Sequence, residues 1–195
     1  MPYRHVTTTA IILFCISAIA FTFIYGPAKR RFVYPEKTLT VHTSREIDDL
    51  WHSSGIHGRI AIIFTSHPGH HLSGNVSSEA DHLDTALRQG LVRRAYFIIP
   101  DRFWPEVVSN DVLRSASIVP AKPTDIGYKL LHEGGRILVM PLSKYIPQQE
   151  MEKAVVVIEP AVLTPNENLR INNYFKSGQL TADLLIRIED ATRLQ

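Results

Sequence analysis

Four short, uninterrupted apolar runs constrain the fold of this chain more than any other feature. They span four to seven residues each and occupy Arg59–Thr65, Ala95–Ile99, Ile137–Met140 and Ala154–Ile158. An apolar run of this length without polar alternation is typical of a strand that is buried on both faces. Segments with helical or turn-forming patterns separate the runs. We therefore predict a three-layer α/β domain with a mostly parallel sheet and helices on both faces.

The remaining elements are predicted from capping signals and apolar periodicity. Thr164-Pro-Asn-Glu167 resembles a capping box with proline at the first helical position. In chain order, the pattern predicts an edge strand at Thr38–His42, a helix from Ser44 to Gly55, a helix over Ser77–Gly90, a strand at Ser117–Val119, a helix over Thr124–Glu133, a helix from Thr164 to Gly178 and a strand at Ala182–Ile188. A helix at the end of the chain is the alternative to this last strand.

Four prolines mark the ends of predicted strands. Pro100, Pro120, Pro141 and Pro160 each lie at or just after the end of an apolar run. Proline cannot donate a hydrogen bond to a strand ladder, so it ends strands readily. If the strands are parallel, these ends lie along one edge of the sheet. Open α/β sheets bind their ligands at that edge, so we expect the functional site there.

The first strong strand leads into a loop that is rich in histidine. Seven of the nine histidines lie between His42 and His82, and the loop Ser66–Asn75 holds the densest group. Glycines allow close backbone approach, a following helix amino terminus offers free N–H groups, and imidazole is a near-neutral acid–base group or metal ligand. The alternative interpretation is a solvated polar loop, because no histidine pair has the spacing of a strong zinc motif.

The candidate residues fall into three groups. The catalytic candidates are His67, His70, His71, Ser73 and Asp101. The candidates for ligand binding are Gly69, Gly74, Asn75, Arg102 and Ser143. The three histidines of the first group are also the candidate ligands of a divalent metal. Glu159, which precedes Pro160, is interpreted either as a catalytic carboxylate or as a cap or turn partner.

The amino-terminal segment predicts a membrane anchor. Val6–Tyr25 contains twenty residues without a charge, which as a helix would span roughly 30 Å, the thickness of a hydrocarbon core. A cleaved signal peptide ending at Ala18-Ile19-Ala20 is one alternative, but the apolar run continues to Ile24. A buried core helix is the other, and the apolarity on all sides of the segment disfavours it. The side of a membrane segment with more basic residues usually faces the cytoplasm. Here the carboxyl-terminal side of the segment has about one positive charge more than the other side, which favours a cytoplasmic α/β domain. The opposite orientation is the alternative.

Composition narrows the function classes. Residues 1–35 carry four basic and no acidic side chains, whereas residues 36–195 carry 17 basic and 19 acidic ones. The body is therefore not basic in bulk, and we expect no nucleic-acid partner. The single cysteine, Cys15, excludes an intramolecular disulfide framework.

We divide the chain into an anchor (1–26), a juxtamembrane linker (27–37) and an α/β domain (38–195).

Two functions follow as expectations. The first is a single-pass membrane protein whose α/β domain is a binding or assembly subunit of a membrane-associated complex, with the bilayer contacted through Val6–Tyr25. The second is a membrane-tethered, hydrolase-like enzyme that uses the histidine loop, with or without a divalent metal. The absence of Gly-x-Ser-x-Gly, Walker and Gly-x-Gly-x-x-Gly motifs favours the first function over the second.

Overall fold

The computed structural model describes residues 37–42, 44–68, 82–109, 121–130, 136–147 and 154–189. All of them belong to one unit of the chain, Phe32–Gln195. The described strands are β1 (Lys37–Val41), β2 (Arg59–Phe64), β3 (Val92–Ile99), β4 (Ala121–Thr124), β5 (Gly127–Leu130), β6 (Ile137–Pro141), β7 (Ala154–Ile158) and β8 (Ala182–Ile188). The described helices are α1 (Ser44–Ser53), α2 (His82–Arg88), α3 (Trp104–Ser109) and α4 (Pro165–Lys176).

The described strands form one mostly parallel sheet, as the sequence predicts. Their order is β1-β8-β7-β2-β3-β6-β5-β4, and the first six of these strands run parallel to one another. The four uninterrupted apolar runs are the four adjacent strands β7, β2, β3 and β6. Ile62 of β2 pairs with Val156 on one side and Tyr96 on the other. The stretches of these strands that lie between covered faces are apolar, whereas Arg93 and Arg94 near the start of β3 are exposed.

Each face of the sheet has its own apolar core. On one side, Ala61 and Ile63 of β2 pack in a cluster with Trp51 of α1 and Leu87 of α2. On the opposite side, Ile62 of β2 packs in a second cluster that contains residues of α4. We call these sides the α2 face and the α4 face. Alternate residues of one apolar strand thus serve two cores, which accounts for the three layers.

Helix α4 begins at the predicted capping box. Thr164 Oγ1 accepts a hydrogen bond from Glu167 N at 3.2 Å, and Glu167 Oε2 accepts one from Thr164 N at 2.7 Å. These bonds satisfy two amide donors that the helix itself leaves unpaired, typically stabilising a helix by about 1 kcal/mol. Helix α4 therefore begins at a fixed point just after the end of β7.

The predicted helix over Thr124–Glu133 is wrong. The described part of that range contains a turn between the antiparallel strands β4 and β5, and β5 pairs antiparallel with β6. Thr124 Oγ1 accepts a hydrogen bond from Gly127 N at 3.1 Å and donates one to Gly127 O at 3.0 Å, which closes the turn. A Cβ on Gly127 would lie 2.0 Å from the Val139 carbonyl oxygen, so only glycine allows this approach.

Several predicted elements lie outside the described residues. They are the anchor segment Val6–Tyr25, most of the linker 27–37, the strand Ser117–Val119 and the first part of the helix Ser77–Gly90. Within the described ranges, no helix is long and apolar enough to cross a membrane. The membrane anchor thus stays a prediction from the sequence.

Candidate functional site

The sheet changes direction between β7 and β2. After β2 the chain proceeds to β3 on one side, and after β7 it proceeds to β8 on the other. The helices that follow these two strands also lie on opposite faces, because α2 packs on one core cluster and α4 on the other. Such a switch point leaves a crevice at the carboxyl ends of the strands, where open α/β sheets bind ligands. The crevice defines the candidate site.

Two buried polar side chains lie at this switch point. Thr65 directly follows β2 and Glu159 directly follows β7, and they are the two polar residues in the buried part of the described chain. Glu159 N donates to Phe64 O at 3.1 Å, so the backbone holds the two strand ends together. A carboxyl group inside a protein is costly unless polar groups surround it. Its position at the carboxyl edge of the sheet makes Glu159 a candidate site residue.

The histidine loop leaves β2 through a turn that Thr65 stabilises. Thr65 Oγ1 accepts a hydrogen bond from His67 N at 3.2 Å, and it lies 3.3 Å from His67 O, to which it donates. His67 is half-buried beside the end of β2. The other predicted members of the loop lie outside the described residues: His70, His71, Ser73, Gly69, Gly74 and Asn75.

Asp101 and Ser143 meet at the same edge. Asp101 Oδ1 accepts a hydrogen bond from Ser143 N at 3.1 Å. Asp101 follows β3 and Ser143 lies in the short 3-10 turn Leu142–Lys144 that follows β6, and these two strands are parallel neighbours. The carboxylate thus holds the amino-terminal end of this turn, and both residues are exposed. This contact gives Asp101 a structural task at the edge.

Arg102 connects β3 with the chain that follows β7. Its Nη1 lies 3.1 Å from Glu167 Oε2, and its Nη2 donates to the carbonyl oxygen of Val162. Since β2 lies between β3 and β7, this bridge passes the carboxyl end of β2. The guanidinium also lies 4.6 Å from the centre of the Phe103 ring. Arg102 therefore lies at the border of the switch point and holds the chain after β3 against the chain after β7.

A pocket of about 210 Å³ opens further along the edge, and the sequence did not indicate it. The Trp104 and Tyr128 rings line one part, with centres 6.0 Å apart, while Lys144 and the β4–β5 turn line the rest. The β4–β5 turn lay in the mispredicted helix Thr124–Glu133, so the sequence pattern placed no site there. The pocket combines aromatic surface with the ammonium group of Lys144 and the carboxylate of Asp125.

Tyr145 supports the crevice from the α4 face. Its ring packs edge-on against Phe64 at 5.8 Å and Tyr174 at 5.9 Å, measured between ring centres. Burial raises the pKa of the Tyr145 phenol well above its ordinary value, and the nearby Tyr174 and Tyr96 raise it further. Among the described residues its hydroxyl has no hydrogen-bond partner. Tyr145 therefore stays neutral and is a packing residue with a buried polar atom.

The described residues contain no group of three or more histidine, cysteine or acidic side chains that could hold a metal ion. His70 and His71 lie outside the described residues.

The sheet order and its switch point define an open α/β domain. No family model, curated protein or solved structure matches this chain.

Proposed function

We propose that this chain is a single-pass membrane protein whose α/β domain binds a ligand or partner at the carboxyl edge of its sheet, as a binding or assembly subunit of a membrane-associated complex. The observation that carries the proposal is the switch point between β2 and β7, where Thr65 and Glu159 are buried at adjacent strand ends. In this fold class the crevice at such a point is the usual ligand site. The bilayer would be contacted through Val6–Tyr25, and the charge bias favours a cytoplasmic domain.

The contacts around the crevice favour binding over chemistry. Asp101 is engaged by Ser143 N, and Arg102 is engaged by Glu167 and the Val162 carbonyl. Both side chains therefore hold the loops of the edge in place. Rigid loops lose less conformational entropy when a partner binds, which strengthens binding without any reactive group.

The experiment is site-specific photo-crosslinking of the full chain in its native membrane. Ser143 is replaced by a benzophenone amino acid, since its contact with Asp101 uses the backbone N–H and survives the replacement. Gln89 is the matched control because it is exposed and lies just before the start of β3, at the opposite edge of the sheet. We expect a discrete crosslinked species or mass shift from position 143 and none from position 89. Equal labelling at both positions, or none at 143, would contradict the proposal.

A second candidate function is a membrane-tethered, hydrolase-like enzyme. The observation that favours it is the placement of a half-buried imidazole, His67, and a buried carboxyl group, Glu159, after neighbouring strands. Imidazole and carboxylate are the usual groups of acid–base catalysis. The enzyme would use His67, His70 and His71, with or without a divalent metal.

Metal analysis of the purified full chain separates the two functions. A stoichiometric metal that is lost in the double variant His70→Ala/His71→Ala would favour the enzyme. The double variant should leave the melting temperature nearly unchanged if the imidazoles act on a ligand or metal, because side chains in a polar loop contribute little to stability. A large fall in melting temperature would instead show that the histidines are structural.

A further inference from the structure

A second pocket lies on the sheet itself, away from the carboxyl edge. It measures about 210 Å³ and is lined by side chains of three adjacent strands and the residue before β6, namely Arg94, Tyr96, Lys129, Arg136, Ile137 and Leu138. Leu138 of β6 pairs with Tyr96 of β3 and with Lys129 of β5. These three side chains therefore share one face, and Tyr96 belongs to the core cluster of the α4 face.

The charged side chains that line this pocket are all basic. They are Arg94, Lys129 and Arg136, and within the described residues no carboxylate lines the pocket. Arg94 and Lys129 are exposed, whereas Arg136 is half-buried. Three like charges around one small cavity repel one another, so an anion between them would be attracted by all three. The overall charge of residues 36–195 is slightly negative, so this local excess is not a bulk property.

Hydrogen bonds hold the donors of the pocket in position. Arg94 Nη1 donates to the Tyr96 hydroxyl oxygen at 3.2 Å, and Arg136 Nη1 donates to the carbonyl oxygen of Leu87 at 3.0 Å. Because the Tyr96 oxygen accepts the bond from Arg94, its own hydrogen is a further donor. The Arg94 guanidinium has other N–H groups besides the one that donates to Tyr96. A set of guanidinium, ammonium and phenol donors matches the oxygens of a phosphate group.

We propose that this pocket binds a phosphate group through Arg94, Tyr96 and Lys129, with Arg136 adding charge. Leu138, which lies on the same face as Tyr96 and Lys129, provides apolar contact area for the organic part of a phosphate ester. Two sources share this chemistry: a phospholipid headgroup and a water-soluble phosphate compound. The predicted anchor Val6–Tyr25 would keep the domain near lipid headgroups, but the pocket chemistry stands without the anchor.

The test measures protection of Lys129 from an amine-acetylating reagent, read by mass spectrometry on the full chain in nanodiscs. Lys176 is exposed and lies outside the pocket, so it is the internal control in the same sample. One arm adds inorganic phosphate to phosphatidylcholine nanodiscs at constant ionic strength. The other arm compares phosphatidic acid nanodiscs with phosphatidylcholine nanodiscs. We expect about tenfold slower acetylation of Lys129 when its ammonium makes a charge-assisted hydrogen bond to phosphate.

The outcomes distinguish the two sources. Protection by inorganic phosphate identifies a soluble phosphate ligand, and protection by phosphatidic acid alone identifies a lipid headgroup. Arg94→Gln should abolish the protection, whereas the matched variant Arg93→Gln should retain it, because Arg93 is exposed on the same strand but does not line the pocket. Absence of protection in both arms would overturn the proposal. Equal slowing at Lys176, or unchanged protection in Arg94→Gln, would do the same.

Discussion

Arg102 and Glu167 form an ion pair at 3.1 Å that joins the chain after β3 to the first turn of α4. The strands that precede these residues, β3 and β7, flank β2 on its two sides. The pair therefore passes the carboxyl end of β2, where Thr65 and Glu159 are buried. Glu167 also closes the capping box of α4. One carboxylate thus fixes both the start of a helix and the border of the crevice.

The two residues of this pair should contribute unequally to stability. Arg102→Ala removes a partly exposed ion pair, so we expect a loss of about 0.5 kcal/mol in the free energy of unfolding. Glu167→Ala also removes the capping box, and we expect a loss of about 1–2 kcal/mol. Urea unfolding of both single variants and the double variant measures the coupling. A coupling near zero would show that the bridge does not hold the loops together.

The buried phenol of Tyr145 should make the free energy of unfolding fall at alkaline pH. Its pKa is raised in the folded state, so the folded chain holds the phenol proton more tightly than the unfolded chain does. The contribution to stability is therefore complete below about pH 10, the ordinary pKa of tyrosine, and is lost as the pH rises above it. Tyr145→Phe should flatten this fall, as measured by denaturant unfolding between neutral and alkaline pH.

The same variant tests the buried hydroxyl at neutral pH. Among the described residues the Tyr145 oxygen has no hydrogen-bond partner, so Tyr145→Phe should be neutral or stabilising by about 1 kcal/mol. Tyr174→Phe is the matched control, because the Tyr174 oxygen accepts a bond from Arg170 Nε at 2.6 Å and its loss should destabilise the fold. A clear loss of stability in Tyr145→Phe would reveal a polar partner for this hydroxyl.

Adding a single methyl group at Gly127 should destabilise the fold strongly. Gly127→Ala would place a Cβ 2.0 Å from the Val139 carbonyl oxygen and 2.9 Å from Met140 Cα, both backbone atoms that cannot easily move. We expect a loss of about 3 kcal/mol or faster amide exchange in β5. Gly90→Ala is the comparison, since φ is +74° there but the space is open, and it should cost only about 1 kcal/mol. Similar costs at both positions would contradict the close approach of β5 to β6.

Ile62 tests the central strand. Ile62→Ala should lower the free energy of unfolding by about 3 kcal/mol, because the residue is fully buried between α4 and two neighbouring strands. Thr38→Ala on the edge strand β1, where the side chain is exposed, should change it by no more than about 0.5 kcal/mol. Denaturant unfolding checks both values, and a small loss at Ile62 would contradict the two-core arrangement.

The predicted anchor makes a separate prediction. The full chain should stay in the membrane fraction through high-salt and carbonate washes, because about twenty apolar residues insert stably into a bilayer. A variant without residues 1–26 should be released. Recovery of a soluble mature chain that begins at Phe21 would favour the signal-peptide interpretation.

The orientation of the chain is a separate prediction. Protease added outside intact spheroplasts should leave the α/β domain uncut if that domain is cytoplasmic. Cleavage would place the domain on the outer side of the membrane.

The sequence alone determined the central strands and the start of α4. Ala154–Ile158 and the other apolar runs were recognisable because a strand buried on both faces needs apolar residues at every position. The capping box was recognisable because Thr164 and Glu167 bond to each other within one turn. These signals are local, so the chain carries them without reference to distant partners. The strand-end prolines likewise pointed to the edge where Asp101 and Ser143 meet.

Only the tertiary structure decided the hairpin and the surroundings of the crevice. The segment around Gly127 forms a strand because β6 lies against it, and no local pattern carries that contact. The Arg102–Glu167 pair joins residues that are 65 positions apart, and the cluster of Arg94, Lys129 and Arg136 gathers charges from separate strands. Contacts of this kind depend on strand order, which is set by how the two cores pack, so composition and spacing along the chain do not contain them.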